Sequence, residues 1–235
     1  MTVQGQRTAL ITGASRGLGR ALARSLAERG WDLIVNARGG AALVEAAAEL
    51  ARHTHVVALP GDIADAGLQA ALAEAAREAG GLDLLVNNAS ALGPSPLPAL
   101  LAYPLDALAT VYQTNVIAPL ALVRAVAPLL KQGACVINVS SDAAVEAYEG
   151  WGGYGSSKAA LDQVSAVLAV ENPRLRVYAV DPGDMRTAMH QDAFPGEDIS
   201  DRPLPEESVP GFLRLIEDDR PSGRYKAREV VEHES

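Results

Sequence analysis

The stretch GGYGSSKAA, residues 152–160, sets Tyr154 and Lys158 four positions apart. Residues i and i+4 share one face of a helix, so this spacing brings an ammonium beside a phenol. A neighbouring cation and the positive end of a helix both favour the phenolate, which predicts a Tyr154 that titrates below the usual phenol value of about 10. Such a phenol can give or take a proton at neutral pH. Ser141, thirteen residues earlier at the end of the apolar run ACVINVSS, carries a hydroxyl that can stabilise charge developing on an oxygen. Taken alone, the same residues could be a surface Tyr and Lys with a strand-end serine.

A second chemistry-bearing segment lies near the start. TALITGASRGLGRAL places Thr12, Gly13, Gly17 and Gly19 between an apolar run and an Ala/Leu-rich stretch of helical period. Glycine lets the backbone turn sharply and approach a pyrophosphate, while the helix N-terminus offers free N–H groups and a partial positive charge. A glycine triplet that follows a strand and opens a helix points to a dinucleotide. At the end of the second strand an acidic residue would hydrogen-bond the ribose hydroxyls. Here that end reads VNARGG, with Ala37 and Arg38 in the turn and no acid, and Arg16 adds a second guanidinium from the glycine loop. Two guanidiniums suit a 2′-phosphate, so NADP(H) is expected ahead of NAD(H).

The elements that must position these residues follow from periodicity. Short apolar runs (RTALIT, WDLIVN, HVVAL, LDLLVNNA, ACVINVSS, RVYAVDPG) alternate with Ala/Leu-rich helical stretches, about 17–29, 41–52, 67–79 and 154–170. The alternation specifies an α/β fold, a doubly wound parallel sheet of the Rossmann kind with helices on both faces. One long helix is expected from about Pro104 to Lys131, bent at Pro119 and Pro128. The polar stretch 184–205 reads as a mobile loop, EESVPGFLRLIEDD as a last helix, SGRYKA as a final strand, and the charged end as a frayed tail. The chain is expected to be a single domain over 1–235, with its core at about 7–187, the substrate loop and last helix at about 188–226 and a tail at 227–235.

Composition narrows the function classes. A formal charge of −9 without a Lys/Arg block gives no reason to expect a nucleic-acid groove, and no apolar run has the length of a membrane span. The start lacks a cleavable leader pattern, and the one cysteine, Cys135, cannot form an internal disulfide; both suit a cytoplasmic protein. The four histidines, His53, His55, His190 and His233, lack metal-site spacing, so no metal is expected, and His53 and His55 read as surface residues.

With these motifs in order, the chain resembles the short-chain dehydrogenase/reductase family from about Thr8 to Thr187. TGASRGLG is joined by GDI with Asp62 and Ile63, NNAS at 87–90, Asn115, Ser141, Tyr154, Lys158 and DPGDMRT ending at Thr187. The resemblance implies Asn115, Ser141, Tyr154 and Lys158 as catalytic, with Lys158 also on the nicotinamide ribose and Asn115 holding a relay water. It further implies cofactor contacts from Gly13, Ser15, Arg16, Gly17, Leu18 and Gly19; from Ala37, Arg38, Asp62 and Ile63; from Asn88, Ala89 and Ser90; and from Pro182, Gly183, Met185 and Thr187. Asp62 and Ile63 would meet the adenine. The family usually ends NNAG in glycine, and this chain has Ser90 there.

The activity so implied is hydride transfer between nicotinamide and a carbonyl or secondary alcohol, in a homodimer or homotetramer acting on small molecules. A nucleotide-sensing protein without enzymatic activity, or an epimerase or dehydratase that keeps its cofactor, are the alternatives. Trp151, Tyr148, Met189 and Phe194 could wall an apolar substrate pocket, while Asp142, Glu146 and Glu149 could select a cationic or polyhydroxylated substrate. Fold does not name the substrate.

Overall fold

The computed structural model describes residues 6–232, so the first five residues, His233 and the last of the tail lie outside the described part. The apolar runs form β1 (Thr8–Thr12), β2 (Asp32–Ala37), β3 (Val56–Pro60), β4 (Leu82–Asn87), β5 (Leu130–Val139), β6 (Arg176–Asp181) and β7 (Gly223–Lys226). They make one sheet in the order β3-β2-β1-β4-β5-β6-β7, every neighbouring pair parallel. All of β1 is buried, which is why it reads as a nearly continuous apolar run rather than an alternating one.

Alternate residues of the strands feed two cores. Ile11, Val35 and Val86 pack under α1 (Gly17–Glu28), α2 (Gly40–Leu50) and a helix at Val209–Glu217. Leu10, Ile34 and Leu85 pack on the other face, under α3 (Ala66–Glu78) and later helices. This is the expected doubly wound sheet. Its strand order reverses between β1 and β4, and the crevice beyond the carboxyl ends of those strands is where such folds bind ligands.

Three expectations are corrected. The long helix over 104–131 is two helices, α4 (Leu105–Tyr112) and α5 (Ala118–Val126), joined by a π-helical turn at Gln113–Ile117. Pro119 has no N–H for the carbonyl of Asn115, so the regular ladder cannot run through. Pro128 then ends α5 in a one-turn 3-10 helix, and by Leu130 the chain is already in β5, which places Lys131 on a strand. Next, after α6 (Gly152–Glu171), the stretch 184–205 is not merely loop: Thr187 caps the short α7 (Ala188–Ala193), accepting the His190 N–H at 3.2 Å, and the Arg186 N–H donates to the Pro203 carbonyl at 2.7 Å.

Finally, beyond α8 (Val209–Glu217) and β7, the first part of the expected tail is a helix, α9 (Ala227–Glu232). Ala227 and Val230 of α9 are buried against the α1/α8 core, and a Cβ on Gly211 of α8 would run into the Ala227 carbonyl. Packing that close needs glycine. His53 and His55 are exposed. Among the described residues no helix is long and apolar enough to cross a membrane.

Candidate active site

The sheet's reversal point is held by reciprocal hydrogen bonds between the first and fourth strand ends. Thr12 Oγ1 accepts from the N–H groups of Asn88 and Ala89, both at 3.0 Å, and Asn88 Nδ2 donates to the carbonyls of Thr12 and Gly13 at 2.9 and 3.1 Å. Gly13 has φ +68°, and a Cβ there would sit 2.7 Å from Asn88 Nδ2, so the TGAS and NNAS loops can approach this closely only with glycine at 13. At the next strand end Asn36 Nδ2 donates to the carbonyls of Leu59 and Gly61, which ties the turn carrying Arg38 to the one carrying Asp62.

A cavity of about 860 Å³ opens over these turns. Of the residues expected at the cofactor, Gly13, Ser15, Arg16, Gly17, Leu18, Ala37, Arg38, Asp62, Ile63, Asn88, Ala89, Ser90, Tyr154, Lys158, Pro182, Met185 and Thr187 line it. Gly19 and Gly183 stand behind the wall. A Cβ on Gly19 would come within 2.5 Å of the Gly13 carbonyl, and the Gly183 N–H closes a turn onto Asp181 Oδ1 at 2.9 Å. Asp62 also does turn work, its Oδ1 accepting the Ala64 N–H at 2.9 Å.

The cavity fits a dinucleotide by its own chemistry. Four arginines, Arg16, Arg20, Arg24 and Arg38, reach its rim. Arg20 and Arg24 are both spoken for by Glu49, whereas Arg16 and Arg38 are exposed and have no ion-pair partner among the described residues. Two free guanidiniums beside a glycine-rich turn are a receptor for phosphate. At the other end the hydroxyl of Ser140, buried in the cavity wall, has no partner among the described residues; such a group is costly unless something polar meets it.

Tyr154 lies in the first turn of α6, which starts at Gly152, two residues ahead of the expected start at Tyr154. The glycines before it answer to packing: a Cβ on Gly153 would collide with the Tyr103 ring, and one on Gly155 would lie 2.6 Å from the Ala143 carbonyl. A buried polar ladder sets the depth of α6 on the sheet, with Asn87 Nδ2 donating to Asn138 Oδ1 and Asn138 Nδ2 to Ser165 Oγ, both at 2.8 Å. Tyr154 and Lys158 do share a face, Lys158 Nζ standing 5.4 Å from the phenol ring centroid.

The electrostatics differ from expectation. Burial raises Tyr154 above the ordinary phenol range, and the carboxylates of Asp142 and Asp181 push the same way; hydrogen bonding from Ser90, then from Ser141, only partly opposes them. Lys158, the expected counter-charge, is itself held down by burial. It is fully buried, its Nζ donates to the Val139 carbonyl at 2.7 Å, and burial lowers it to about 8, against the pull of Asp162.

Ser141 and Asn115 flank the cavity rather than line it. Ser141 follows the end of β5 and caps the 3-10 turn Asp142–Ala144, its Oγ donating to Asp142 Oδ1 at 2.9 Å. Asn115 is fully buried in the π-helical turn; its Nδ2 donates to the Ala91 carbonyl and to Ser157 Oγ, both at 2.9 Å, and its Oδ1 accepts from Ala91 N–H and Ser90 Oγ. The surroundings of Tyr154 are apolar, with Trp151, Met189 and Phe194 packed against Tyr154, Leu92 and Ala143, and the Trp151 ring edge-on to Tyr154 at 5.7 Å. Tyr148 is not part of that wall: it is exposed and donates to Asp142 Oδ2 at 3.0 Å, while Glu146 and Glu149 face outward. Sequence reasoning missed Thr114 and the segment 204–206, which also line the cavity. Pro205, buried at the start of a 3-10 turn against α1, was the available signal for the latter.

Known proteins agree with this architecture. The profile of the short chain dehydrogenase family matches residues 7–198. The rhamnolipids biosynthesis 3-oxoacyl-[acyl-carrier-protein] reductase of Pseudomonas aeruginosa is 36% identical over 78% of this chain and 74% of its own length. Serine 3-dehydrogenase of Agrobacterium fabrum is 37% identical over 77% of this chain and 72% of its own. A candidate short chain dehydrogenase of Shigella flexneri, solved in complex with NADP, superposes with a TM-score of 0.86 at 31% identity, covering 94% of this chain and 97% of that one. The likeness thus holds in sequence over most of the chain and in shape over nearly all of it, and the chain belongs to the short-chain dehydrogenase family of oxidoreductases.

Proposed function

We propose that the chain is an NADP(H)-dependent oxidoreductase that interconverts a small carbonyl compound and its secondary alcohol, with Tyr154 as the acid/base. The observation that carries this reading is the phenol of Tyr154 at the wall of the dinucleotide cavity, flanked by the hydroxyl of Ser141 and sharing a helix face with Lys158. The nicotinamide, when bound, supplies or accepts the hydride. In reduction Tyr154 passes its proton to the carbonyl oxygen, and in oxidation the phenolate takes the hydroxyl proton. Ser141 Oγ steadies the same oxygen. Lys158, anchored on Val139, presents a buried cation to the ribose and the phenol, and the Asn115 carbonyl, which Pro119 cannot satisfy, holds the relay water.

Arg16 and Arg38 support NADP over NAD, because a 2′-phosphate gives two unpartnered cations a partner; the NADP complex of the Shigella relative is in line with this. The names of the two relatives point to substrates as different as a 3-oxoacyl-[acyl-carrier-protein] and serine, so neither passes its substrate to this chain. The packed Trp151, Met189 and Phe194 favour a small, apolar-flanked carbonyl. The test is NADPH consumption across a panel of ketones and aldehydes. Turnover that Tyr154→Phe abolishes while NADPH still binds is the expected result. Tight NADPH binding with no turnover on any of them would support a nucleotide-sensing role instead.

A further inference from the structure

Ser90 stands where glycine would be usual, and its hydroxyl donates to Asn115 Oδ1 at 3.1 Å. That oxygen also accepts the Ala91 N–H at 2.7 Å, so Asn115 stays satisfied if Ser90 turns away. Ser90 lines the cavity with Tyr154, and hydrogen bonding from its hydroxyl, like that of Ser141, opposes the burial that raises the phenol. Ser141 is less free to turn: its one proton lies on the carboxylate of Asp142 at 2.9 Å, a stronger acceptor than an amide oxygen.

We propose, resting on the oxidoreductase reading above, that Ser90 is a positioning residue for Tyr154: its hydroxyl accepts from the neutral phenol while donating to Asn115, and swings that proton onto the phenolate once Tyr154 has given its own away. No bond to hydrogen breaks in the swing. The proton that leaves Tyr154 goes to the substrate oxygen, and Ser90 keeps its own. The site therefore gains a donor only in the charged state, and that donor works against the burial which otherwise opposes ionisation of Tyr154. A glycine at this position would leave the phenolate without that donor.

Ser90→Ala removes the hydroxyl and keeps the Cβ. In alcohol oxidation the limb of the pH–rate profile that reports ionisation of Tyr154 should move up by about one pH unit, the worth of one hydrogen bond to a charged group. Ser90→Thr, which returns a hydroxyl, should bring it back. A readout independent of turnover is the Cζ resonance of Tyr154 in protein labelled with carbon-13 tyrosine and saturated with NADP⁺, assigned by its loss in Tyr154→Phe. Its titration should shift in the same direction in Ser90→Ala and return in Ser90→Thr. If Ser90→Ala does not fold, Ser90→Cys, a weaker donor of similar size, should give a smaller upward shift. A Cζ titration that stays in place when the hydroxyl is removed or weakened overturns the proposal. Absence of turnover on every carbonyl and alcohol would count against the oxidoreductase reading, and the Cζ titration would still decide the role of Ser90.

Discussion

Arg16 and Arg38, at the end of the cavity built by β1 and β2, stand exposed without an ion-pair partner among the described residues, whereas Lys158, at the end built by β4 to β6, is fully buried and bonded to Val139. On the proposed reading both ends offer positive charge to one ligand, by different physics. Exposed guanidiniums attract through water, so salt weakens them and each contributes modestly. The buried ammonium, phenol and amide are held by packing and internal hydrogen bonds, so what they do depends on geometry and desolvation. Substitutions should therefore be severe at the β4–β6 end and graded, salt-dependent and tolerated at the other.

The largest effect expected is loss of turnover in Tyr154→Phe, by about a thousand-fold for a lost general acid, with NADPH affinity nearly unchanged since the ring and its contact with Trp151 remain. Steady-state kinetics and a cofactor titration measure the two. A variant that retained most of the wild-type rate would remove the phenol from the mechanism. Next in size is Asn138→Ala. Asn138 joins β4 to α6 through Asn87 and Ser165, and its loss leaves Asn87 Nδ2 unpaired in the core. A cost of about 2–3 kcal/mol in unfolding free energy is expected for a buried polar group left unsatisfied. Denaturant unfolding would show it, and a cost no larger than that of a surface substitution would mean that α6 is set by its apolar contacts instead.

What the sequence disclosed follows the same division. The glycine turn, the strand alternation and the shared face of Tyr154 and Lys158 are local matters of backbone freedom and helical period, and all were legible. So was the interruption near Pro119, though not its form: a π-helical turn at Gln113–Ile117 depends on how Asn115 is bonded to Ala91 and Ser157, which are distant in sequence. The sequence shows the short α7 and α9 only as loop and tail because a six-residue helix carries little periodicity, and both are held by caps and packing. The direction of the Tyr154 shift escapes the sequence for a related reason. Spacing reports the neighbouring lysine, but burial, the largest cause of the upward shift, is a property of the assembled wall.

Lys158 sharpens the comparison through pH. Its ordinary value of 10.5 is lowered to about 8 by burial. The charge is thus present below about pH 8 and lost above it, and the free cofactor-binding affinity should weaken as pH rises through that point. Stability moves the opposite way. Between the folded and unfolded values the unfolded chain binds more protons, so the contribution of this group to stability rises with pH across that window. Lys158→Met should lack both trends. Cofactor titrations and denaturant unfolding on either side of pH 8 measure them, and an affinity in the wild type that does not change across that point would mean that Lys158 keeps its charge or does not serve the ribose.

The exposed end gives the smallest effect and the one most easily reversed. Replacing Ala37 by Asp and Arg38 by Gln sets an acid where ribose hydroxyls would lie and removes one of the two free guanidiniums, leaving Arg16. NADPH affinity should fall about ten-fold or somewhat more, the worth of a charge-assisted phosphate contact, while NADH affinity holds or improves. Arg20 is the internal control: it also reaches the cavity, but Glu49 holds it at 2.6 Å, so Arg20→Gln should alter NADPH preference far less than the change at Arg38. Because Arg16 and Arg38 are exposed, the wild-type preference for NADPH over NADH should shrink as salt is added, on the scale of a Debye length of about 8 Å at physiological ionic strength. Binding isotherms for both cofactors at low and high salt make the measurement. Equal affinities at low salt would mean that neither guanidinium turns to the phosphate, and the NADP assignment would fall while the buried end kept its chemistry.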